Sequence, residues 1–474
     1  MKPFDSLRAR LATCAALSVF LLSTVVAPVA AASRTRWVDN NTSSQGPAAC
    51  ASAHFSTIQA AIDASSAWDK VYVCPGKYQE QLTIDVAGLE VRAIPALGAR
   101  LWAPATIVRD GLVSSLVHIT KRNVTFAGFR VKIQAGEVVD GVHGVTTACD
   151  GPIEVAIWAQ AAHAVIKANH VEAVGDATLS GDCGYYFGIA LAEPAYSTGG
   201  TWGPDTSLVW RNWVKDPKIG GILTGGDRSV KVWNNNIRYV HYKDPATCEL
   251  IPVLGVRPLE GIPSGFGCEL PLNLQAADPF DGISPYSQGI VDEGALVDLR
   301  GNTVYSTIDT AVSGNQQSFL GVGIGLWQAT DGSRVRSNIV DNVGYGILVT
   351  DEPGVFTNPA LNVPAAPDGV AVSGNRVSES FFGFFVVDGT DSYYYANRAH
   401  LNIVGALVVN DFSGSSDNTF ERNDFRYNAE GDCIDETSGG YTYATANDWG
   451  DPTTNLGFSD DPDGICVPFF PILP

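Results

Sequence analysis

Five residues after a recurring glycine that opens a short apolar strand, an acid or amide returns along the chain. Glu193 follows Gly188, Asp351 follows Gly346, Asp388 follows Gly383, Asn410 follows Gly405 and Glu436 follows Gly431. If the strands stack in register, these side chains leave one strand end on successive coils, at steps of about 4.8 Å. Carboxylates at that spacing suit Ca²⁺, which gathers several oxygens at about 2.3–2.6 Å. Asp351, Asp388 and Glu436 are the candidate metal ligands. The same spacing suits the acid and nucleophile of a retaining glycosidase, or over two coils an inverting pair. Asp is also an ordinary turn residue, so capping, Ca²⁺ binding and acid–base work by Asp351, Asp388 and Glu193 all stay open.

A second chemistry needs cations. β-Elimination from a uronate requires a base for the C5 proton and positive charge to offset the neighbouring carboxylate. The densest basic stretch is Arg228, Lys231, Arg238, His241 and Lys243. Arg228, His241 and Lys243 are candidates for a substrate clamp or base; solvated edge charges would look the same. Tyr185, Tyr186, Trp202, Trp210, Trp213, Trp233, Tyr239 and Tyr242 share this central third. Rings of this size more often fill a core than stack on sugars, so a buried position is expected for them.

These residues must be positioned by repeats. Asn precedes a short apolar strand, and a later Gly opens a second, as in Asn212 with Gly221, Asn338 with Gly346, Asn375 with Gly383, Asn402 with Gly405 and Asn423 with Gly431. Asn236 and Asn302 open further copies. The glycine steps 346 to 383, 383 to 405 and 405 to 431 are 37, 22 and 26 residues, a solenoid period with insertions. Equivalent strands of successive coils then pair in parallel, buried on one face as Val/Ile/Leu runs. The Asn is expected at corners, where it tolerates left-handed backbone and forms stacked amide ladders. Upstream, Phe55, Ile58, Ala61 and Ile62 predict one short amphipathic helix with Ser56 as its N-cap. Short strands are expected at Trp37–Asn41, Val71–Val73 and Tyr78–Ile84.

Composition agrees with an all-β chain. Gly 49 and Pro 26 in 474 residues make it turn-rich, and 17% charged residues is too few for long salt-bridged helices. The formal charge is −20; Lys2, Arg8, Arg10 and Asp5 give residues 1–32 a net +2, leaving −20 − 2 = −22 beyond them. Such a chain repels nucleic acid and anionic membranes. Residues 1–32 read as a secretory signal, with a basic start, the apolar run 11–26 and small residues Ala27, Ala30, Ala31 and Ala32. The remainder, 33–474, is expected to be a single secreted domain, extracellular or periplasmic and monomeric, with no stable membrane insertion. Irregular insertions are expected at 136–206 and 244–291, and a C-terminal cap at 437–474. Beyond Cys14, eight cysteines remain: Cys50, Cys74, Cys149, Cys183, Cys248, Cys268, Cys433 and Cys466. An even number in an exported chain implies disulfides, and neighbours 20–34 residues apart favour sequential pairing.

The phrase from Phe55 to Ala64, the phrase from Val71 to Glu80 and the Asn…Gly coils together resemble the right-handed parallel β-helix proteins of the pectin-lyase-like superfamily, over about residues 37–466. The resemblance implies a right-handed parallel β-helix whose open end is covered by the short helix. It also implies a carbohydrate-active function, a polysaccharide lyase or glycoside hydrolase acting on an extracellular polysaccharide. In the resembling lyases the base is commonly Arg or Lys beside Ca²⁺, the one cofactor the carboxylates here would suit. The polygalacturonase-like and pectin methylesterase signatures are absent. Asp278-Pro-Phe-Asp281 is similar to the Asp-Pro-His-Asp of alginate epimerases, but Phe280 stands where the proton-transferring His would be. A non-catalytic surface or glycan-binding β-helix, an adhesin for example, is the alternative.

Overall fold

The computed structural model describes residues 33–40, 46–104, 106–108, 114–133, 137–140, 144–145, 153–161, 163–173, 185–191, 206–215, 217, 220–225, 229–239, 288–293, 296–306, 322–327, 331–350, 369–387, 389–409, 417–429, 431–436 and 442–448. The chain divides into Met1–Ser33 and Arg34–Pro474, and the β structure belongs to the second unit. The signal expected at 1–32 lies outside the described residues.

Three long sheets carry the fold. Sheet A has 13 strands from Thr35–Val38 to Thr442–Thr445, sheet B 10 from Gly76–Gln79 to Arg398–His400, and sheet C 11 from Leu82–Ile84 to Gly431–Glu436. Within each, every strand pairs in parallel with its counterpart one coil away, as in Val230↔Val297 in A, Ile237↔Val304 in B and Ile324↔Ile347 in C. The chain passes A to B to C and back, winding a right-handed parallel β-helix. An antiparallel pair, Val139 with Val145, sits in a small three-stranded side sheet. Period-2 alternation sends Val, Ile and Leu inward from all three sheets into one continuous core.

The A-to-B corners show what the recurring Asn does. From residue 168 onward each is two residues long, and the first is left-handed: Ala168, Arg211, Asn234, Gly301, Ser337, Gly374, Ala396, Arg422 and Ala446 have φ between 50° and 63°. The Asn is the second corner residue and does not itself adopt that conformation, contrary to the expectation from sequence. Its side chain is committed elsewhere. Asn302 Nδ2 donates to the Val232 carbonyl at 2.7 Å and to Asn338 Oδ1 at 3.0 Å, while its own Oδ1 accepts from the N–H and Nδ2 of Asn235 at 2.9 and 3.0 Å. The pattern runs unbroken through Asn169, Asn212, Asn235, Asn302, Asn338, Asn375, Asn397, Asn423 and Asn447. Two members differ from the sequence reading, which had Asn236 and Asn402. Asn236 opens a sheet B strand. Asn402 belongs to a shorter ladder at the B-to-C corner, passing through Asn428 to Asp432.

A glycine ladder lines sheet C. Gly188, Gly221, Gly289, Gly323, Gly346, Gly383 and Gly405 stand level on successive strands. A Cβ on Gly221 would lie 2.6 Å from the Gly289 carbonyl oxygen and 2.7 Å from Ile237 of sheet B. Backbone and core meet there without room for a methyl group. Gly221→Ala is therefore expected to cost about 1–3 kcal/mol, read as a lower denaturation midpoint.

The predicted helix is Ile58–Asp63, with Ile58, Ala61 and Ile62 packed into the core. Its N-cap is Thr57, not Ser56: Thr57 Oγ1 accepts from the Ala60 N–H. Glu80 completes the cap from the next coil, its two oxygens accepting from the Ile58 and Gln59 N–H groups at 2.9 Å each. Asp69 anchors the first coil, taking bonds from Ser66 N at 2.8 Å, Arg34 N at 2.7 Å and Arg36 Nη1 at 2.6 Å. Burial opposes ionisation of Asp69, but these donors outweigh it and hold its carboxyl below the ordinary value. A carboxyl lowered on folding stabilises above its unfolded pKa and loses that contribution as pH falls through the folded value. Asp69→Asn is expected to lower stability at neutral pH by about 2 kcal/mol, with the gap to wild type closing in acid; melting curves across pH read this.

Cys50 and Cys74 are bonded, as sequential pairing requires. Cys433 is also in a disulfide, while Cys149, Cys183, Cys248, Cys268 and Cys466 lie outside the described residues. Regular strands at 153–159, 165–167, 170–173 and 185–191 run through the insertion expected at 136–206. The segment expected as a cap still holds a coil: Thr442–Thr445 joins sheet A, and Asn447 ends the Asn ladder. The described part of this unit has no helix long and apolar enough to cross a membrane.

Candidate functional site

Charge divides the sheets. The sheet C strands contain no Lys or Arg and six carboxylates: Glu154, Asp292, Glu293, Asp432, Asp435 and Glu436. The sheet B strands contain eight Lys or Arg against Glu172 and Asp341 alone.

On sheet C the register tests the acidic column. Thr350 pairs with Val387 and Val387 with Val409, so Asp351 and Asp388 each directly follow paired residues on adjacent coils. Gly431 does not belong to the glycine ladder: it pairs with Val404, and Asp432 stands level with Gly405. Glu436 therefore pairs with Val409, one place short of the column it was aligned with. The corner before it has a different length, which sequence spacing alone could not reveal. Asp432 is committed to the short ladder, where its Oδ1 accepts from Asn428 N and Nδ2 at 3.0 and 2.9 Å; burial pushes its carboxyl pKa up against those bonds.

Asp351, Asp388, Glu193, Arg228, His241 and Lys243, with Asp278–Asp281, lie outside the described residues. In chain order Arg228 stands between a sheet C strand and a sheet A strand, whereas His241 and Lys243 follow a sheet B strand. Lys231 and Arg238 project from different sheets, A and B respectively. Among the described residues, no three His, Cys, Asp or Glu side chains converge to hold a metal ion.

The outer face of sheet B brings together residues that sequence reasoning scattered. Trp102, Lys132, Glu172, Lys215, Arg238 and Tyr305 occupy one outward column on consecutive strands, with Arg130, His170, Trp213 and Asn236 in the column beside it. Lys77 Nζ sits 4.1 Å from the Trp102 ring centre, and Arg238 5.2 Å from that of Tyr305. His170 stacks on Trp213 at 4.2 Å, and Trp213 is 39% exposed. Lys132 pairs with Glu172, whose other oxygen is 3.5 Å from His170 Nε2, beyond a good hydrogen bond. Burial lowers the His170 pKa below the ordinary imidazole value, with Arg130 and the lysines adding to this against Glu172. Burial raises Glu172, but Lys132, His170 and Lys215 outweigh it and keep it ionised. Among the described residues, Trp102 Nε1, Arg130 Nε, His170 Nε2, Asn236 Oδ1 and Arg238 Nε are shielded atoms without a hydrogen-bond partner.

Sheet A is also basic, but its rings are engaged: Trp233 Nε1 donates to Asp298, which pairs with Arg336, and Tyr393 donates to Glu421 at 2.6 Å. That bond is the chief reason the Tyr393 pKa is pushed up to about 12. Trp210, Trp213 and Trp233 were expected in the core and instead stand on outer faces. Among the described residues the core cluster takes Val, Ile, Leu, Ala, Phe and Tyr.

No protein-family model matches the chain, and no curated protein does. Among solved structures it is similar to the A-module of a mannuronan C-5 epimerase from Azotobacter vinelandii, at 12% identity over 82% of this chain and 88% of that one, with TM-score 0.30. A PL6 alginate lyase solved with a trisaccharide matches at 12% identity over 87% and 84%, also at TM-score 0.30. A PL6 family polysaccharide lyase from Pseudopedobacter saltans matches at 11% identity over 86% and 93%, with TM-score 0.34. No residue of this chain takes a role from these likenesses.

Proposed function

We propose that this chain is a secreted carbohydrate-active β-helix protein that cleaves an extracellular polysaccharide, as a lyase or a glycoside hydrolase. The observation that carries this reading is the partition of charge. Sheet C, free of Lys and Arg in its strands and supplied with carboxylates, runs out at Thr350 and Val387, register partners that Asp351 and Asp388 directly follow. Acids on adjacent coils fit either a carboxylate pair for glycoside hydrolysis or oxygen ligands for Ca²⁺. Asp351 and Asp388 are the first candidates for these roles and Glu193 the next. Arg228, His241 and Lys243 are candidates for holding an acidic sugar or for the base of an elimination.

Glu172 on sheet B is a poor general acid, because its pKa is lowered and Lys132 holds it. The exposed Trp213 supports the alternative, a glycan-binding module without catalysis. Incubating the purified protein with a polysaccharide panel, with Ca²⁺ or with chelator, separates the readings. Unsaturated ends with ultraviolet absorbance, lost on chelation, mean a metal-assisted lyase. Reducing ends without that absorbance mean a hydrolase. Silence across the panel from folded protein rejects cleavage.

A further inference from the structure

We propose that the outer face of sheet B is a binding site for a linear carboxylated glycan, laid along the coil axis across the strands from Trp102 to Tyr305. This site is separate from the sheet C strand ends to which cleavage is assigned above.

The six strands concerned are consecutive in sheet B. Five steps of about 4.8 Å give a track of about 24 Å, room for several sugars. Polymer and protein then repeat in the same direction: each coil offers a cation, a ring or a donor, and each sugar offers a face and a carboxylate. The face has a cation excess within a chain of net charge −20, so its sign is local and opposite to that of the whole. Three of its cations, Arg100, Arg130 and Arg238, make no ion pair among the described residues, while Lys132 pairs with Glu172. Trp213 presents an exposed ring already held flat by His170. Rings fixed in this way stack on sugars at little entropic cost. Among the described residues, the shielded donors of Trp102, Arg130 and Arg238 have no acceptor. Leaving such donors unbonded is costly, and small side-chain movements would turn them to carboxylates and hydroxyls.

Single-stranded nucleic acid also combines negative charge with stacking. Its charges are much denser along the strand, and the strongly negative net charge of this protein opposes its approach over long range. A glycan with one carboxylate per sugar meets less of that repulsion.

The test is calorimetric titration of the whole protein, in chelator, with a galacturonate hexasaccharide, a neutral glucan hexasaccharide and a single-stranded DNA oligonucleotide. The expected result is binding of the acidic hexasaccharide that weakens with salt, at least tenfold tighter than either competitor. Trp213→Ala, and separately Arg130→Gln with Arg238→Gln, are each expected to lower its affinity at least tenfold with melting temperature preserved. Lys231→Gln, which removes a cation 5.4 Å from the Trp233 ring on sheet A, should change it less than twofold. No binding, equal binding of the neutral glucan, tighter DNA binding, or an equal loss in Lys231→Gln each overturns the proposal. Because chelator and short ligands report binding without turnover, binding that persists in a protein unable to cleave rejects only the enzyme reading. Cleavage that persists without this binding rejects only the sheet B site.

Discussion

Alanine in place of Asn302 is expected to destabilise the coil stack by about 3–6 kcal/mol, a larger stability loss than at Gly221 or Asp69. The side chain sits mid-ladder, fully buried, and its amide serves both neighbouring coils. Removing it strips the acceptor from the Asn235 N–H and Nδ2 and the donor from the Val232 carbonyl. Each buried orphan costs about 1–3 kcal/mol. Asn302→Asp is a sharper probe. It keeps an acceptor for Asn235, loses both donors and buries a charge, so it should be destabilising too. Denaturant unfolding reads both variants. A loss below about 1 kcal/mol for Asn302→Ala would mean that the ladder is ornament and that core burial alone sets the register.

The second large effect concerns turnover. Asp351→Asn combined with Asp388→Asn is expected to lower the rate of polysaccharide cleavage by about 10²–10⁴-fold, the range of a lost acid–base group, with melting temperature unchanged. Amide keeps the size and the turn-capping ability of the carboxyl but neither its charge nor its proton. Residues that only cap turns would therefore leave the rate intact. A metal site would show itself differently, as a loss that excess Ca²⁺ partly restores in the single variants.

Much of the scaffold was legible from residue order, because it depends on local rules. Apolar alternation marked the strands, the spacing of Phe55, Ile58, Ala61 and Ile62 marked the helix, and repeated Asn marked the ladder. Register was less legible, since coils differ in length. The steps between ladder amides run from 22 to 67 residues, and a one-residue shift exchanges Asn235 for Asn236 or Asp432 for Gly431. Such a shift moved Glu436 off the acidic column. The sheet B face was invisible for the same reason. Trp102, Lys132, Glu172 and Arg238 are neighbours only after each strand is paired with its counterpart, and nothing local marks them as a set. The signal that could have found them is the outward residue three places after each ladder Asn, as Glu172, Lys215, Arg238 and Tyr305 follow Asn169, Asn212, Asn235 and Asn302. The outward tryptophans were misjudged because burial by residue type ignores the strand alternation, which sets Trp210, Trp213 and Trp233 on outward positions.

The most direct measurement is the rate of reducing-end release from the polysaccharide panel by the wild-type protein beside the Asp351→Asn, Asp388→Asn double variant. Release by the first and its loss in an equally folded second is the predicted result. No release by either, or equal release by both, would contradict the assignment of a cleaving site to the end of sheet C.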